Sequence, residues 1–177
     1  MLIIDRGEYF HQENSDDILI RTLVEDDVSD SYVRGLNDIA VNLYLVGAKE
    51  KKQTLEDVRS FVRMNENDDC GHLFGLFIRE KLRGTCRLHD ITDSSAYLGI
   101  AIFDKNIWGK SFGSSLIMAV TNFALNKLNI NRIEALIHEE NIASIKSFEK
   151  AKFECIKSKS ELKDGVRFEY FVYYGSP

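Results

Sequence analysis

The sequence predicts a mixed α/β domain built on one mostly antiparallel sheet flanked by helices. Three observations predict it. Strand-like runs crowd the middle of the chain, after a helical stretch. A nearly continuous apolar run, residues 96–103, leads through a small-residue turn into an amphipathic helix. A strand, a second helix and a closing strand pair then follow. The 177 residues fit one domain, 1–177, with residues 1–15 as a lead-in segment.

Ile18 to Val24 reads as the first strand, with Ile18 and Ile20 on one face. Glu25, Asp26 and Asp27 put negative charge where a helix amino end favours it, and a helix is expected through Tyr32 and Leu36. A short second helix is expected over residues 38–45. Thr54 reads as an N-cap with Glu56 and Asp57 in the first turn, and Leu55, Val58, Phe61 and Val62 form an apolar stripe at helical spacing. Residues 72–78 and 82–88 read as a hairpin joined by Glu80-Lys81. The run over residues 96–103 suits a central strand buried on both faces. Behind the turn at 107–113, Leu116, Val120, Phe123, Ala124 and Leu128 share one helix face. Residues 132–138 form another strand, Asn141 caps a helix burying Ile145 and Phe148, and residues 153–157 and 168–174 close the chain as a pair.

Charge and cysteine usage exclude several classes. The net charge is -5, and no basic face suited to duplex nucleic acid stands out. Cys70, Cys86 and Cys155 lie far apart with no CxxC pair, which argues against a disulfide framework and a zinc site. His11, His72, His89 and His138 lack the i, i+4 spacing of a metal-binding helix, so no metal is expected. Asp5 comes too early for a signal peptide, and no apolar run reaches membrane-spanning length. The expectation is a soluble cytoplasmic protein without a membrane or nucleic-acid partner, with a homodimer allowed.

The sharpest chemical feature is the strand, turn and helix around Gly109 to Gly113. The first helical N–H groups lack backbone partners, and the helix dipole adds partial positive charge, so phosphate oxygens bind there. Gly109 and Gly113 let a ligand approach the backbone; Ser111, Ser114 and Ser115 add hydroxyls and Lys110 a charge. The bland alternative is that the glycines turn the chain and the serines cap the helix. Likewise, Asn141 is an N-cap before it is anything else.

With these segments in this order, the chain resembles the GNAT superfamily of N-acetyltransferases, especially the branch related to the ribosomal-protein acetyltransferases. Residues 20–27 (IRTLVEDD) look like that branch's opening strand and helix start, 54–58 (TLEDV) like its second helix, and 84–91 (GTCRLHDI) like its third strand. Residues 98–102 (LGIAI) resemble the central strand, 108–113 (WGKSFG) the pyrophosphate loop, and 141–153 the final motif. The chain departs from the pattern at several points. Trp108 takes the place of Arg or Gln, Ser111 replaces the first loop glycine, and Lys152 replaces a glycine. Phe148 stands where a tyrosine often protonates the leaving thiolate, and Tyr97 where the branch often carries a glutamate base.

The resemblance implies transfer of acetyl from acetyl-CoA to a primary amine. It places pantetheine beside Ile100, Ile102 and Phe103. The pyrophosphate then lies at Trp108, Gly109, Lys110, Ser111, Phe112, Gly113 and Ser114, with Asn141, Ser144 and Lys150 closing the site. A backbone N–H in the central strand, such as that of Ile100, would polarise the thioester carbonyl. A protonated amine cannot attack, so a proton acceptor is needed; Asp90 and His89 rank first, with Glu139 and Glu140 across the cleft. Without the tyrosine, Tyr97, Tyr44 or water would meet a thiolate whose pKa of roughly 8.5 already makes it a fair leaving group. The acceptor is expected to be a small polar amine or amino sugar, with a protein N-terminus as the alternative; a non-catalytic acyl-CoA-binding protein is the alternative of another class. Acceptor contacts are expected from Leu36 to Glu50 and from loops such as Ile91 to Ser95, which carry Asn37, Asp38, Asn42, Tyr44, Asp93, Ser94 and Ser95.

Overall fold

The computed structural model describes residues 18–45, 51–67 and 71–175. The lead-in, Cys70 and residues 46–50 of the expected acceptor-binding stretch lie outside the described residues. Eight strands form one sheet in the order β1-β2-β3-β4-β5-β8-β6, with β7 paired to β8. The strands are β1 (Ile18–Thr22), β2 (His72–Ile78), β3 (Lys81–His89), β4 (Ser95–Ile102), β5 (Arg132–His138), β6 (Glu154–Cys155), β7 (Glu161–Lys163) and β8 (Val166–Tyr174). Every pairing is antiparallel except β4 with β5.

Helices cover both faces. α1 (Asp30–Leu36), α2 (Ile39–Asn42) and α3 (Leu55–Glu66) lie on one side; α4 (Phe112–Lys127) and α5 (Ile142–Lys150) lie on the other. Side chains alternate across each strand, so the sheet feeds two cores. Phe74, Leu88, Leu98, Ile133 and Phe171 pack with Leu116, Val120, Phe123 and Phe148. Leu73, Phe77 and Phe103 pack with Tyr32, Val58 and Val62. Each such side chain contributes roughly 1.5–3 kcal/mol by leaving water.

Several boundaries differ from the sequence reading. Residues Glu25–Asp27 form a separate 3₁₀ turn, and α1 starts later, where the Ser29 hydroxyl accepts the Tyr32 N–H. The hairpin turns on Arg79-Glu80 rather than Glu80-Lys81; both residues take positive φ, 50° and 60°, as a two-residue turn matched to strand twist requires. Thr54 does cap α3, and with Asp57 it completes a capping box. The largest correction concerns β4. Its apolar run is not buried on both faces: Ala96 and Leu98 are, but Gly99 is exposed and residues 100–102 are half-buried.

That exposure has a topological cause. β4 and β5 run parallel and pair only from Ser95↔Arg132 to Tyr97↔Glu134. Beyond that point β4 continues to Ile102 and β5 to His138 without pairing to each other. β4 still pairs with β3 along its other edge, as far as Ile102↔Gly84. The sheet therefore splits, and backbone groups of Gly99 to Ile102 face an open wedge.

Candidate active site

Two cavities meet at this wedge. The first, about 590 Å³, runs between the open end of β4, the turn before α4, and α5. Ile100, Ile102, Trp108, Gly109, Ser111, Phe112, Gly113, Ser114, Asn141, Ser144 and Lys150 all line it. The second, about 620 Å³, lies on the α1–α3 face, over Thr85, Arg87, His89, Tyr97, Gly99 and Ala101, with Leu136 and His138 of β5 across the split. Tyr44, Leu45, Ile100, Ala101, Asn141 and Ser144 line both cavities, so these residues surround the junction.

The turn before α4 has features that suit an anion. Gly109 has φ +72°, with nothing within 4 Å of where a Cβ would stand. Ser111 is left-handed at φ 67° and offers no side-chain cap to the helix. Its hydroxyl instead receives Lys150 Nζ at 2.6 Å, which brings a cation from α5 to the amino end of α4. Gly113 packs against α5; a Cβ there would meet Ser147 Oγ at 3.2 Å. Trp108 donates from Nε1 to the Ile102 carbonyl at 2.9 Å, tying the turn to the end of β4. Asn141 Oδ1 accepts the Ser144 N–H at 3.2 Å, so the plain capping reading of Asn141 holds at the junction itself. These features suit a pyrophosphate at the helix end and an extended chain along β4.

Two expected ligand contacts, Phe103 and Lys110, lie outside the first cavity, and a third, Ser114, lines it with its hydroxyl already engaged. Phe103 is buried in the α1–α3 core, stacked on Tyr32 at 4.7 Å, and lines neither cavity. Lys110 is exposed outside the first cavity. Ser114 is 3% exposed and donates its hydroxyl to the Ser111 carbonyl at 2.9 Å.

The base candidates separate clearly. His89 and Tyr97 are register partners, their rings stack at 5.8 Å, and both line the second cavity. Burial raises the Tyr97 phenol pKa, and the neighbouring Glu134 carboxylate adds to the rise. Asp90 meets His89 Nδ1 at 2.9 Å, yet its side chain is 76% exposed and lines neither cavity. Glu139 and Glu140 are exposed and also line neither. Phe148 fills the family's tyrosine position as a core residue, 1% exposed, at the inner wall of the second cavity.

Of the expected polar acceptor contacts, Tyr44 lines both cavities, whereas Asn37 and Asp38 make structural contacts. Asn37 straps Gln53 with two hydrogen bonds of 2.8 Å, and Asp38 caps α2 and pairs with Lys105. Asp93, Ser94 and Ser95 line neither cavity. The second cavity has an aromatic wall instead: Tyr32, Tyr44, Phe61, His138 and Phe168. Burial pushes the Tyr32 phenol up to about 12 against a hydrogen bond with Thr85. His138 is the residue that sequence reasoning passed over. Its ring lies 4.7 Å from Tyr44, and its Nδ1 accepts the Glu140 N–H at 3.2 Å. The period-2 alternation of β5 puts it on the same face as Leu136, a signal that was present in the sequence.

A helix end suited to phosphates, an open strand edge and a second cavity joined to the first define a group-transfer site for two substrates. Residues 17–154 match the family model described as the acetyltransferase (GNAT) domain. The chain belongs to this family of acetyl-CoA-dependent N-acetyltransferases. An uncharacterized N-acetyltransferase of Bacillus licheniformis, p20, is 31% identical over 84 residues, 46% of this chain and 47% of that protein. The chain thus aligns with about half the length of that relative. Two solved structures share the fold at a TM-score of 0.75, each 17% identical over 89% of this chain. One is the ribosomal-protein alpha-N-acetyltransferase RimL with coenzyme A, covered over 93%. The other is spermidine N-acetyltransferase from Vibrio cholerae with CoA and spermine, covered over 95%. Among the described residues no helix is long and apolar enough to cross a membrane, and no group of His, Cys, Asp or Glu converges to hold a metal.

Proposed function

We propose that this chain transfers the acetyl group of acetyl-CoA to the primary amine of a small molecule held in the second cavity. The observation that carries this reading is the junction. One wedge in the sheet joins a phosphate-receptive cavity to an aromatic one, and both share Ile100, Ala101, Asn141 and Ser144. Acetyl-CoA would enter along β4 with its pyrophosphate at the amino end of α4, and backbone N–H groups of the open strand would stabilise the oxyanion. Holding both reactants at one junction supplies much of the rate by proximity. The walls formed by Tyr32, Tyr44, Phe61 and Phe168 suit stacking against the ring of an amino sugar or another compact amine. Because it is on the wall of both cavities, Tyr44 is favoured over Tyr97 or water as the group that meets the leaving thiolate. The cytoplasm is the compartment where acetyl-CoA and free thiols coexist.

The test is thiol release from acetyl-CoA against a panel of amino sugars, polyamines, aromatic amines and peptide amino ends. Turnover concentrated in the compact ring-bearing amines supports the reading. Turnover confined to peptide amino ends sinks the small-molecule part of it, and acetyl-CoA binding without turnover on any amine sinks the transfer itself.

A further inference from the structure

Glu134 is the buried carboxylate that the reaction outlined above does not use. It lies on β5 opposite Tyr97, in the last parallel pair before the sheet splits. The residue is 7% exposed. Tyr170 on β8 donates its hydroxyl to Glu134 Oε1 at 2.5 Å. Arg132 Nε stands 2.9 Å from the same oxygen, close enough for charge pairing but not aligned to donate. Both partners meet Oε1.

A charged group in such a place is costly unless its partners hold it, and a carboxylate needed only to join β5 to β8 has no reason to sit where the cleft opens. Tyr97 connects it to that cleft: it lines the second cavity and is the register partner of Glu134 on the adjacent strand, with both side chains on the same sheet face. Other ionisable groups beside this cluster are His89, stacked on Tyr97, Lys159, whose Nζ lies 5.1 Å from the Tyr170 ring centroid, and Glu161 and Lys163 of β7, whose opposite charges act on the Tyr97 phenol in opposite directions.

We propose that Glu134 is a positioning residue that works through Tyr97 and takes up the proton the acceptor amine must lose. The inference rests on the acetyl-transfer reading. One N–H proton of the ammonium passes to the Tyr97 oxygen as the phenol proton passes to the Glu134 carboxylate. The freed electron pair on nitrogen forms the bond to the acetyl carbon, the C–S bond breaks to release the CoA thiolate, and the second proton that nitrogen loses goes to that thiolate. The first proton ends on Glu134 and later leaves to solvent, so nothing is oxidised or reduced. Tyr97 itself returns to a neutral phenol, which suits a side chain whose ionised form lies beside a buried negative charge.

The experiment uses Glu134→Gln, Tyr97→Phe and the double variant of the whole chain. With one amine in excess, each single variant should lose at least tenfold in kcat while acetyl-CoA affinity by calorimetry stays within twofold of the parent. In both, the rate should rise only with the amine's own ionisation, without the lower inflection of the parent, and the double variant should lose no more than either single one. A purely structural Glu134 would lower Tm and leave the pH profile alone, and that result overturns the proposal, as do additive losses. Should Glu134→Gln not fold, Tyr97→Phe keeps the Glu134, Tyr170 and Arg132 cluster and decides alone: a parental profile there is equally fatal. A second readout needs no acceptor. In tyrosine-labelled protein the ¹³Cζ signal missing from Tyr97→Phe is that of Tyr97, and in Glu134→Gln its titration must move to lower pH. A parent inactive on every amine counts against acetyl transfer, whereas an unmoved Tyr97 titration counts against the Glu134 coupling.

Discussion

Lys150 of α5 reaches across the first cavity to Ser111, where Nζ meets Oγ at 2.6 Å. Ser111 holds φ 67°, a conformation that costs a residue with a Cβ roughly 1–2 kcal/mol. The serine thus trades backbone comfort for a hydroxyl that positions a cation beside the helix end. Ser111→Gly should therefore raise Tm by roughly 2–4 °C per kcal/mol of relieved strain. It should also weaken acetyl-CoA binding modestly, by less than Lys150→Met does. Calorimetry and a thermal melt on the same samples read both. Tighter binding by Ser111→Gly would show that the hydroxyl plays no part in holding Lys150.

Gly113 sits where α4 meets α5, with room for a Cβ only if Ser147 gives way. Gly113→Asp adds both that crowding and a negative charge beside the expected pyrophosphate. Acetyl-CoA affinity should fall at least tenfold, about 1.4 kcal/mol. A folded variant with unchanged affinity would remove the turn from the site.

Much of this architecture is readable from residue patterns. The Thr54 cap, the α4 face of Leu116, Val120 and Phe123, and the Asn141 cap are local signals, and each stands where the pattern puts it. Segment order and the 108–113 turn point to the first cavity, which residues of that turn line. The wedge was not readable, because a run such as residues 96–103 looks the same whether its second edge is paired or open. Pairing between Tyr97 and Glu134 joins positions 37 apart in the chain, and no periodicity reports where such a pairing stops. The aromatic wall escaped notice for the same reason: Tyr32, Phe61, His138 and Phe168 come from four separate elements. The short β7 carries only three residues and no apolar alternation to announce it.

Phe148 is 1% exposed and packs at 5.0 Å on Phe153 and 6.2 Å on Phe171. Phe148→Tyr restores the usual family residue at a buried site, where a hydroxyl without a partner costs about 1–3 kcal/mol. The expected outcome is a lower Tm with turnover equal to or above the parent. Tyr44→Phe should instead slow turnover, because that phenol lines both cavities. A parent that is inactive on every amine, revived by Phe148→Tyr, would mark the chain as a degraded enzyme.

Asp57 closes the amino end of α3, whose Val58 and Phe61 line the second cavity. A hydrogen bond with Lys51, then bonds with the Thr54 hydroxyl and N–H, hold its carboxyl well below the usual range. A carboxylate depressed in the folded state contributes stability that is present above its unfolded pKa, roughly 3.9, and is lost as pH falls toward the folded value. Thermal melts of Asp57→Asn should accordingly lie below the parent at pH 6, with the gap narrowing below about pH 4. A gap that stays constant down to pH 3 would mean that Asp57 acts by shape alone.

Asp90, His89 and Glu140 test which side chain serves the amine. His89 shares the second cavity with Tyr97, whereas Asp90 turns outward at φ 51° and Glu140 is exposed beyond the end of β5. Removing His89 takes away the ring stacked on Tyr97, a contact worth about 0.5–1.5 kcal/mol. If that energy orients the phenol, His89→Gln should slow turnover by between about two- and tenfold and keep the parent pH profile. Asp90→Asn and Glu140→Gln should stay within about twofold of the parent, since neither carboxylate reaches a cavity. The control that matters is the profile rather than the rate. A base poised near neutrality leaves its own inflection, and only its removal erases that inflection. Loss of the inflection in His89→Gln, with Tyr97→Phe retaining it, would move the proton from the Tyr97 and Glu134 pair to the imidazole. Loss in Asp90→Asn would require the exposed carboxylate to act through His89 Nδ1, the one polar contact it makes toward the cavity.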